Sequence, residues 1–303
     1  MAEQDLAQRL IDALRGVFGT HHARAAHARG VVLEGRFVPT PAARQLCRAA
    51  VFAASEVPVV ARFSDSTGIP NIPDTDPNAN PRGLGVKLRA PDGSQLDVPA
   101  HSFNGFPAAT AEEFVELLTA IGASGPTAAK PTPLDRFLAK HPAAVAFLTT
   151  QKPAPESWAT LTYFGVNTLR FVDARGQRTA VRLRLVPGAG EKLLDAAALA
   201  KRSATYLSEE IGTRLKSAPV VFALVAQVAG SGDVLDNPSI AWPEDRTLVT
   251  LGTVTIDRLA ADPAAADKAA LFLPADLPDG IEAADPMLAV RSASYRLSHA
   301  ARQ

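Results

Sequence analysis

With Cys47 as its one cysteine, the 303-residue chain has no second thiol to pair with it. Intramolecular disulfides and thiolate metal clusters are therefore excluded. Its neighbours in "RQLCRAAVFAA" are apolar, so a buried, inert thiol is expected. Net charge is lacking too, because 31 basic residues balance 31 acidic ones. A neutral chain has no general pull toward nucleic acid or anionic membrane. No apolar run approaches the ~20 residues of a membrane span. The N-terminal "MAEQDLAQRLIDALRGVF" is charged throughout and does not read as a secretory signal, so a cytoplasmic location is expected.

What is present is an ordinary globular composition, 47% apolar and 20% charged, long enough to bury a substantial core in one large domain or two smaller ones. Leu6, Leu10, Leu14 and Val17 recur at helical spacing, predicting an amphipathic helix from about Asp5 to Phe18. After the histidine-rich "THHARAAHARG" come short β-branched segments: "GVVLEGRFV", "VPVVARFS" and "GLGVKLRA". Pro, Gly, Asn and Asp punctuate them, and "APDGSQ" marks a turn. A helical region follows, with "TAEEFVELLTAI" its clearest member. Strands return in "LRFVDARG", "TAVRLRLVP", "VVFALVAQVAG" and "RTLVTLGTVTI", the first two joined by a hairpin turn at "VDARGQR". "SGDVLDNPSIAWPED" reads as loop. Beyond Asp257 lie an alanine-rich patch, a proline-rich patch and a closing helix, at about 285–302. The fold class predicted is α+β, with about eight antiparallel strands in a barrel or a sandwich and helices packed outside.

The closing helix carries the most specific chemistry. In "VRSASYRLSHAARQ", Arg291, Tyr295, His299 and Arg302 follow one another at intervals of four, four and three, which aligns them on one helix face. An arbitrary Tyr and Arg four apart would be a half-buried phenol beside a solvated cation. Here three cationic or titratable groups share the stripe with the phenol, and such a stripe favours an anionic ligand. The sharper reading makes Tyr295 a metal ligand. A free phenol ionises near pH ~10, so holding the phenolate at neutral pH requires ~4 kcal/mol. A bonded ferric ion supplies most of that, being the largest local charge. An arginine one turn back supplies the rest. Tyrosine is the axial haem ligand of catalase.

"RSASYRLSHAAR" resembles the proximal haem helix of the catalase family, whose pattern is Arg, three residues, Tyr, three residues, His, two residues, Arg. All four positions match, although the family's proline after the tyrosine is Arg296 here. "RAAHARG" resembles the distal segment. There His27 falls on the catalytic histidine and Arg24 on a propionate-binding arginine. Taken alone, a histidine among alanines is more often structural, and His21 and His22 lie close by. In "VVARFSDS", Arg62 and Ser64 match the family's Arg-Phe-Ser, implying a propionate contact and a hydroxyl on the distal histidine. Alternation leaves open whether Phe63 or its two neighbours face inward. "DPNANPRGLGVKLRAPDG" keeps the family's Pro81, Arg82, Gly83, Val86 and Lys87, which read as scaffold. "NPSIAWPEDRTLVTLGTVTI" keeps Trp242 and Pro243.

The distal asparagine is the altered element. In "DVPAHSFNGFP", counting back from Phe114, the match to the haem-stacking phenylalanine, puts His101 at that position, whereas residue type selects Asn104. The distal motif, the Arg-Phe-Ser motif and the proximal motif occur in family order, and the likeness spans about 24–302. It implies a single catalase-like domain over 1–303: helix and distal segment at 1–30, barrel and helices at 31–257, and the proximal helix. The absence of a long extension beyond that helix points to the small catalase-related peroxidases. The resemblance further implies haem b ligated by Tyr295 beside Arg291, with His299 on the same face. Arg24, Arg62 and Arg302 would bind its propionates, and His27 would move protons with Ser64 and His101 or Asn104 beside it. The implied activity is reduction of hydrogen peroxide or organic hydroperoxides in oxidative-stress defence, with weak catalase activity. An unidentified organic electron donor, a monomer or homodimer, and no nucleic-acid or membrane partner are expected. A hydroperoxide-rearranging enzyme of the allene oxide synthase type and a non-enzymatic haem-binding protein are the alternatives.

Overall fold

The computed structural model describes residues 2–303. Helix α1 (Ala2–Phe18) begins a few residues before the predicted start. Strands β1 (Gly30–Pro39), β2 (Val57–Asp65), β3 (Arg82–Arg89) and β4 (Gln95–His101) form the first block, with the short helices α2 (Pro41–Leu46) and α3 (Ala50–Ala53) between β1 and β2. Helices α4 (Ala111–Gly122), α5 (Pro133–Leu138) and α6 (Pro142–Thr149) come next. The second block is β5 (Tyr163–Val172), β6 (Arg178–Pro187), β7 (Val220–Val228) and β8 (Leu248–Leu259), with α7 (Ala196–Leu199) and α8 (Tyr206–Arg214) before β7. The chain ends with α9 (Pro263–Ala269), β9 (Ile281–Ala283) and α10 (Met287–Ala300).

The strands run in the order β4-β3-β2-β1-β8-β7-β6-β5, and β4 meets β5 again through His101 opposite Phe164. This closes an eight-stranded antiparallel barrel, so barrel rather than sandwich is the outcome. Strand β9, absent from the sequence reading, adds to the outer edge of β5 with Ile281 opposite Phe171. The alanine-rich patch after Asp257 divides into the end of β8 and the seven-residue helix α9, capped by the Asp262 side chain on Ala265 N. The stretch around Trp242 is irregular, as expected, and its indole nitrogen donates to Val234 O at 2.8 Å. No helix among the described residues is long and apolar enough to cross a membrane.

Alternation along the strands fills the barrel with aromatics. Phe63 stacks on Trp158 with ring centroids 5.7 Å apart, and both are fully buried beside Tyr163 and Phe222. Burying an apolar side chain of this size stabilises the fold by about 1.5–3 kcal/mol. Because Phe63 points in, Arg62 and Ser64 point out. A second apolar cluster lies outside the barrel, where Leu6, Leu10, Ile11 and Leu14 of α1 meet Val115 and Leu118 of α4 and Met287 and Val290 of α10. The Thr110 hydroxyl caps α4 by accepting from Glu113 N at 3.2 Å. These helices stand off the barrel's outer wall, and the space between them is the site.

Candidate functional site

A cavity of ≈ 850 Å³ separates the outer face of β2–β4 from α1, α4 and α10. Such a volume falls within the usual range for cofactor sites, roughly 300–1,000 Å³. Strand register organises its wall. Gly30, Ser64, Gly83 and His101 stand opposite one another across β1, β2, β3 and β4. Ser64 and His101 are two strands apart, roughly 10 Å. In the neighbouring row Arg62 stands opposite Gly85, and Gly85 opposite Pro99. Two glycines on β3 thus lie between the polar groups of β2 and β4, and at Gly85 the Phe272 ring would lie 3.3 Å from an added Cβ. At Gly83 the space is already taken, since a Cβ there would lie 2.5 Å from Ser64 Oγ and 2.6 Å from His27 Nδ1.

His27 reaches this notch through an unusual backbone. Its φ of 54° is the only positive value at a non-glycine residue among those described, a left-handed conformation that costs about 1–2 kcal/mol. Two hydrogen bonds hold the turn: His27 N to Ser66 O at 3.0 Å and Ala28 N to Thr67 O at 2.9 Å. Ala25 N donates to Ser298 Oγ at 3.1 Å, tying the segment to α10. The ring's Nδ1 lies 3.0 Å from Ser64 Oγ, leaving Nε2 as the nitrogen available to a ligand. Burial first, then the charge of Arg62, presses the imidazole down to about 3. At neutral pH it is an uncharged base.

His101, at the end of β4, also lines the cavity. Both of its ring nitrogens are buried with no hydrogen-bond partner, while Phe106 and Phe147 pack around it at 6.4 and 6.2 Å between centroids. Burial and then Arg291 depress it to about 3. Of the two candidates in "AHSFNGF", the cavity thus receives His101. Asn104 instead donates to Glu244 Oε1 at 3.0 Å, outside the lining, because the chain turns away after β4. Phe114 on α4 lines the cavity and packs on Phe106 at 4.8 Å.

The opposite side is α10. The phenol oxygen of Tyr295 accepts from Arg291 twice, from Nε at 3.1 Å and from Nη2 at 2.9 Å. The third arm of the guanidinium, Nη1, donates to Asn167 Oδ1. Asn167 Nδ2 donates to Asp285 Oδ2 at 2.7 Å, and Asp285 Oδ1 accepts from Met287 N at 2.9 Å, the first residue of α10. A buried carboxylate, an amide and a guanidinium thus form a chain ending on the phenol. Asn167 lies in the irregular stretch of β5, where the register slips between Gly165 and Leu169. Sequence reasoning missed Asn167 and Asp285, and their only signal was polarity in otherwise apolar surroundings, "GVNTL" and "AADPML". His299 does not reach the cavity. Its ring sits against the Gln303 amide at 3.3–3.4 Å, while its neighbour Ser298, and Arg302 on the same stripe, do line the cavity.

Arg24, Arg62 and Arg302 converge at one edge of the cavity. Arg24 donates to Asp267 Oδ2 at 2.8 Å, Arg62 Nε to Asp267 Oδ1 at 2.5 Å, and Arg302 Nη2 to Ala270 O at 2.6 Å. Arg62 and Arg302 are buried, at 4% and 9% exposure, and Arg302 Nε has no partner. Burial first, then Arg62, pushes Arg24 down to about 9, while Asp267 opposes the shift. A cationic edge of this kind is built for a ligand with carboxylates.

An antiparallel barrel with a helix-borne phenol facing a neutral histidine across an external cavity is the architecture of haem catalases. The catalase family profile matches residues 21–303, and the chain belongs to that family. It is 37% identical to the catalase-related peroxidase of Synechococcus elongatus, over 97% of this chain and 87% of that protein. With the catalase-related peroxidase of Mycolicibacterium paratuberculosis it shares 36% identity, over 95% of this chain and 92% of that one. Catalase A from Saccharomyces cerevisiae superposes with a TM-score of 0.81 at 19% identity, over 92% of this chain and 61% of the yeast chain. A fungal catalase gives the same TM-score at 20% identity, over 92% of this chain and 59% of the other. The chain thus spans about three fifths of the length of these solved catalases.

The residues present fit a haem. The phenol oxygen, which accepts from both Nε and Nη2 of Arg291, offers a ligand for iron, three arginines at one edge offer partners for carboxylates, and the cavity's volume suits a group of that size.

Proposed function

We propose that the protein is a haem b peroxidase that reduces hydrogen peroxide or organic hydroperoxides, acting as one catalase-like domain. The observation that carries this reading is the shared cavity. Tyr295, held by Arg291, and His27, held by Ser64, both line it. Tyr295 would ligate the iron, with Arg291 orienting its oxygen by two hydrogen bonds. Arg24, Arg62 and Arg302 would take the propionates, a task for which planar, always-charged guanidiniums suit better than ammonium groups. Phe114 would pack on the ring. When bound, the ferric haem supplies the redox chemistry that cleaves the O–O bond.

The chain's own residues then handle protons and water. Neutral His27 accepts the proton of the incoming peroxide at Nε2 and returns it to the departing oxygen, a step of general acid–base catalysis worth about 10²–10⁴-fold. Ser64 fixes which ring nitrogen is used. His101 offers a second uncharged imidazole beside the first, its two nitrogens free to bond peroxide oxygen or water. An organic donor would supply the reducing electrons of the peroxidase cycle. With a histidine in place of the family's asparagine, dismutation of hydrogen peroxide would be the weaker activity.

The experiment is a visible spectrum of the purified protein before and after one equivalent of peroxide. A tyrosinate-type ferric spectrum that converts within the mixing time supports the reading, and the His27→Ala variant should keep haem but lose the rapid conversion. A colourless protein from haem-replete cells, or haem inert to peroxide, would overturn it. Rearrangement of a fatty-acid hydroperoxide without added reductant would instead favour the allene oxide synthase type of activity.

A further inference from the structure

Arg24, Arg62 and Arg302 are the residues proposed to hold the haem propionates, and the role inferred for Asp267 rests on that reading. The same arginines have a protein partner that no motif predicted. Arg24 donates from Nη1 to Asp267 Oδ2 at 2.8 Å, and from Nη2 to the carbonyls of Asp267 and Ala270 at 2.9 and 2.8 Å. Arg62 donates from Nε to Asp267 Oδ1 at 2.5 Å, while its Nη1 donates to His27 O at 2.9 Å. One carboxylate therefore bridges two guanidiniums, one oxygen to each. The two arginines come from separate places, the distal segment and β2. The carboxylate comes from a third, the short surface helix α9.

Counting charge decides what Asp267 does when haem arrives. Three guanidiniums face a single carboxylate in this cluster. Two propionates bring the cluster to three against three. If haem displaced Asp267, three cations would face two anions, with Arg62 only 4% exposed. Buried charges persist when paired and are costly when they are not. The bridge also runs through Arg62 to the His27 carbonyl, so the groups that hold the cofactor edge and the distal backbone share one support.

We propose that Asp267 is a positioning residue of the propionate site. It sets Arg24 and Arg62 side by side before the cofactor enters and stays in place afterwards as the third carboxylate. It touches neither peroxide nor iron. Its effect is on the affinity for carboxylate-bearing haem.

The Asp267→Asn variant tests this, because it keeps the side chain's shape while turning an amide N–H₂ against one of the two guanidiniums. The ligand-free variant and wild type are titrated with haemin and with haemin dimethyl ester, whose esterified propionates carry no charge, and followed at the Soret band. Haemin should bind the variant about tenfold more weakly or worse, the scale of a lost charge-assisted bond. The dimethyl ester should bind variant and wild type within about twofold. Asp267→Glu, which keeps the carboxylate, should lie between wild type and the amide variant. Unchanged haemin binding overturns the proposal. Tighter haemin binding also overturns it, since Asp267 would then be a competitor of the propionates. So does an equal loss for haemin and ester, which would mean only that α9 is damaged, or a glutamate variant as weak as the amide. Wild-type protein that fails to take up haemin would contradict the haem reading itself, a result separate from all of these.

Discussion

His27 Nδ1 and Ser64 Oγ lie 3.0 Å apart directly over Gly83, at a point where β3 has no room for a side chain. The hydroxyl therefore engages Nδ1 and leaves Nε2 free, at a histidine whose neighbours in the chain are alanines. Ser64→Ala removes this partner and leaves haem binding intact. Single-turnover oxidation by peroxide should slow by about tenfold to a hundredfold, part of the ~10²–10⁴-fold that a positioned base supplies. Stopped-flow spectroscopy of the haem-loaded variant checks it, and an unchanged rate would make the serine a bystander.

Gly83→Ala should do more harm than its size implies. The added methyl would overlap both members of the pair, which can yield only by separating. The variant is expected to fold, to retain haem, and to react with peroxide at least as slowly as Ser64→Ala. Wild-type kinetics in Gly83→Ala would contradict the notch as described.

Asn167 serves two charged groups at once, accepting from the half-buried Arg291 and donating to the buried Asp285. Asn167→Ala leaves both unsatisfied, at about 1–3 kcal/mol each. Urea unfolding of the ligand-free protein should show a loss of roughly 2–4 kcal/mol by that reckoning, and haem should leave the loaded variant faster than wild type. If both quantities stay at wild-type values, the chain from Asp285 to Tyr295 does not support the phenol.

The two cavity histidines make stability depend on acid. Folded His27 and His101 take up protons only near pH 3, whereas an unfolded imidazole does so near 6.5. Between those values the unfolded chain binds more protons, so stability falls as pH drops through 6.5. Each group contributes up to about 1.4 kcal/mol per pH unit. Burial raises Asp65 to about 7, which works the other way over the same window, so the histidine share is read as a difference between variants. Denaturation midpoints of the ligand-free protein between pH 6.5 and 4.5 should fall more steeply in wild type than in His101→Gln. Identical slopes would mean that the His101 imidazole is not desolvated.

The strands were legible in the sequence because β-branched segments with turn residues between them announce them, whereas their closure into a barrel, through His101 opposite Phe164, carries no local signal. Strand β9 was not legible, since three residues, Ile281–Ala283, are too few to show a period. The candidate catalytic side chains were legible where the chain keeps a local pattern, as in "RAAHARG", "ARFSD" and the α10 stripe. His299 shares the helical stripe with Arg291, Tyr295 and Arg302 but, unlike them, is absent from the cavity lining. Asn104, the candidate by residue type, bonds Glu244 outside the lining, whereas His101, the candidate by position, lies in it. Phe63 and Arg62 posed a false choice in the sequence. Both readings of the alternation hold, because the site lies on the outside of the barrel wall. Asn167 and Asp267 were invisible, since each bonds an arginine from a distant part of the chain, and Asp285 was invisible because its partner is Asn167.

The proposed chemistry depends above all on the Tyr295 oxygen, held by Arg291, being the group that ligates iron. Absorption and electron paramagnetic resonance spectra of haem-loaded Tyr295→Phe, recorded beside wild type, test that bond. Wild type should show a five-coordinate high-spin ferric tyrosinate signature, and the variant should lack it. A variant with the same signature and an unchanged Soret band would mean that the phenol is not the ligand.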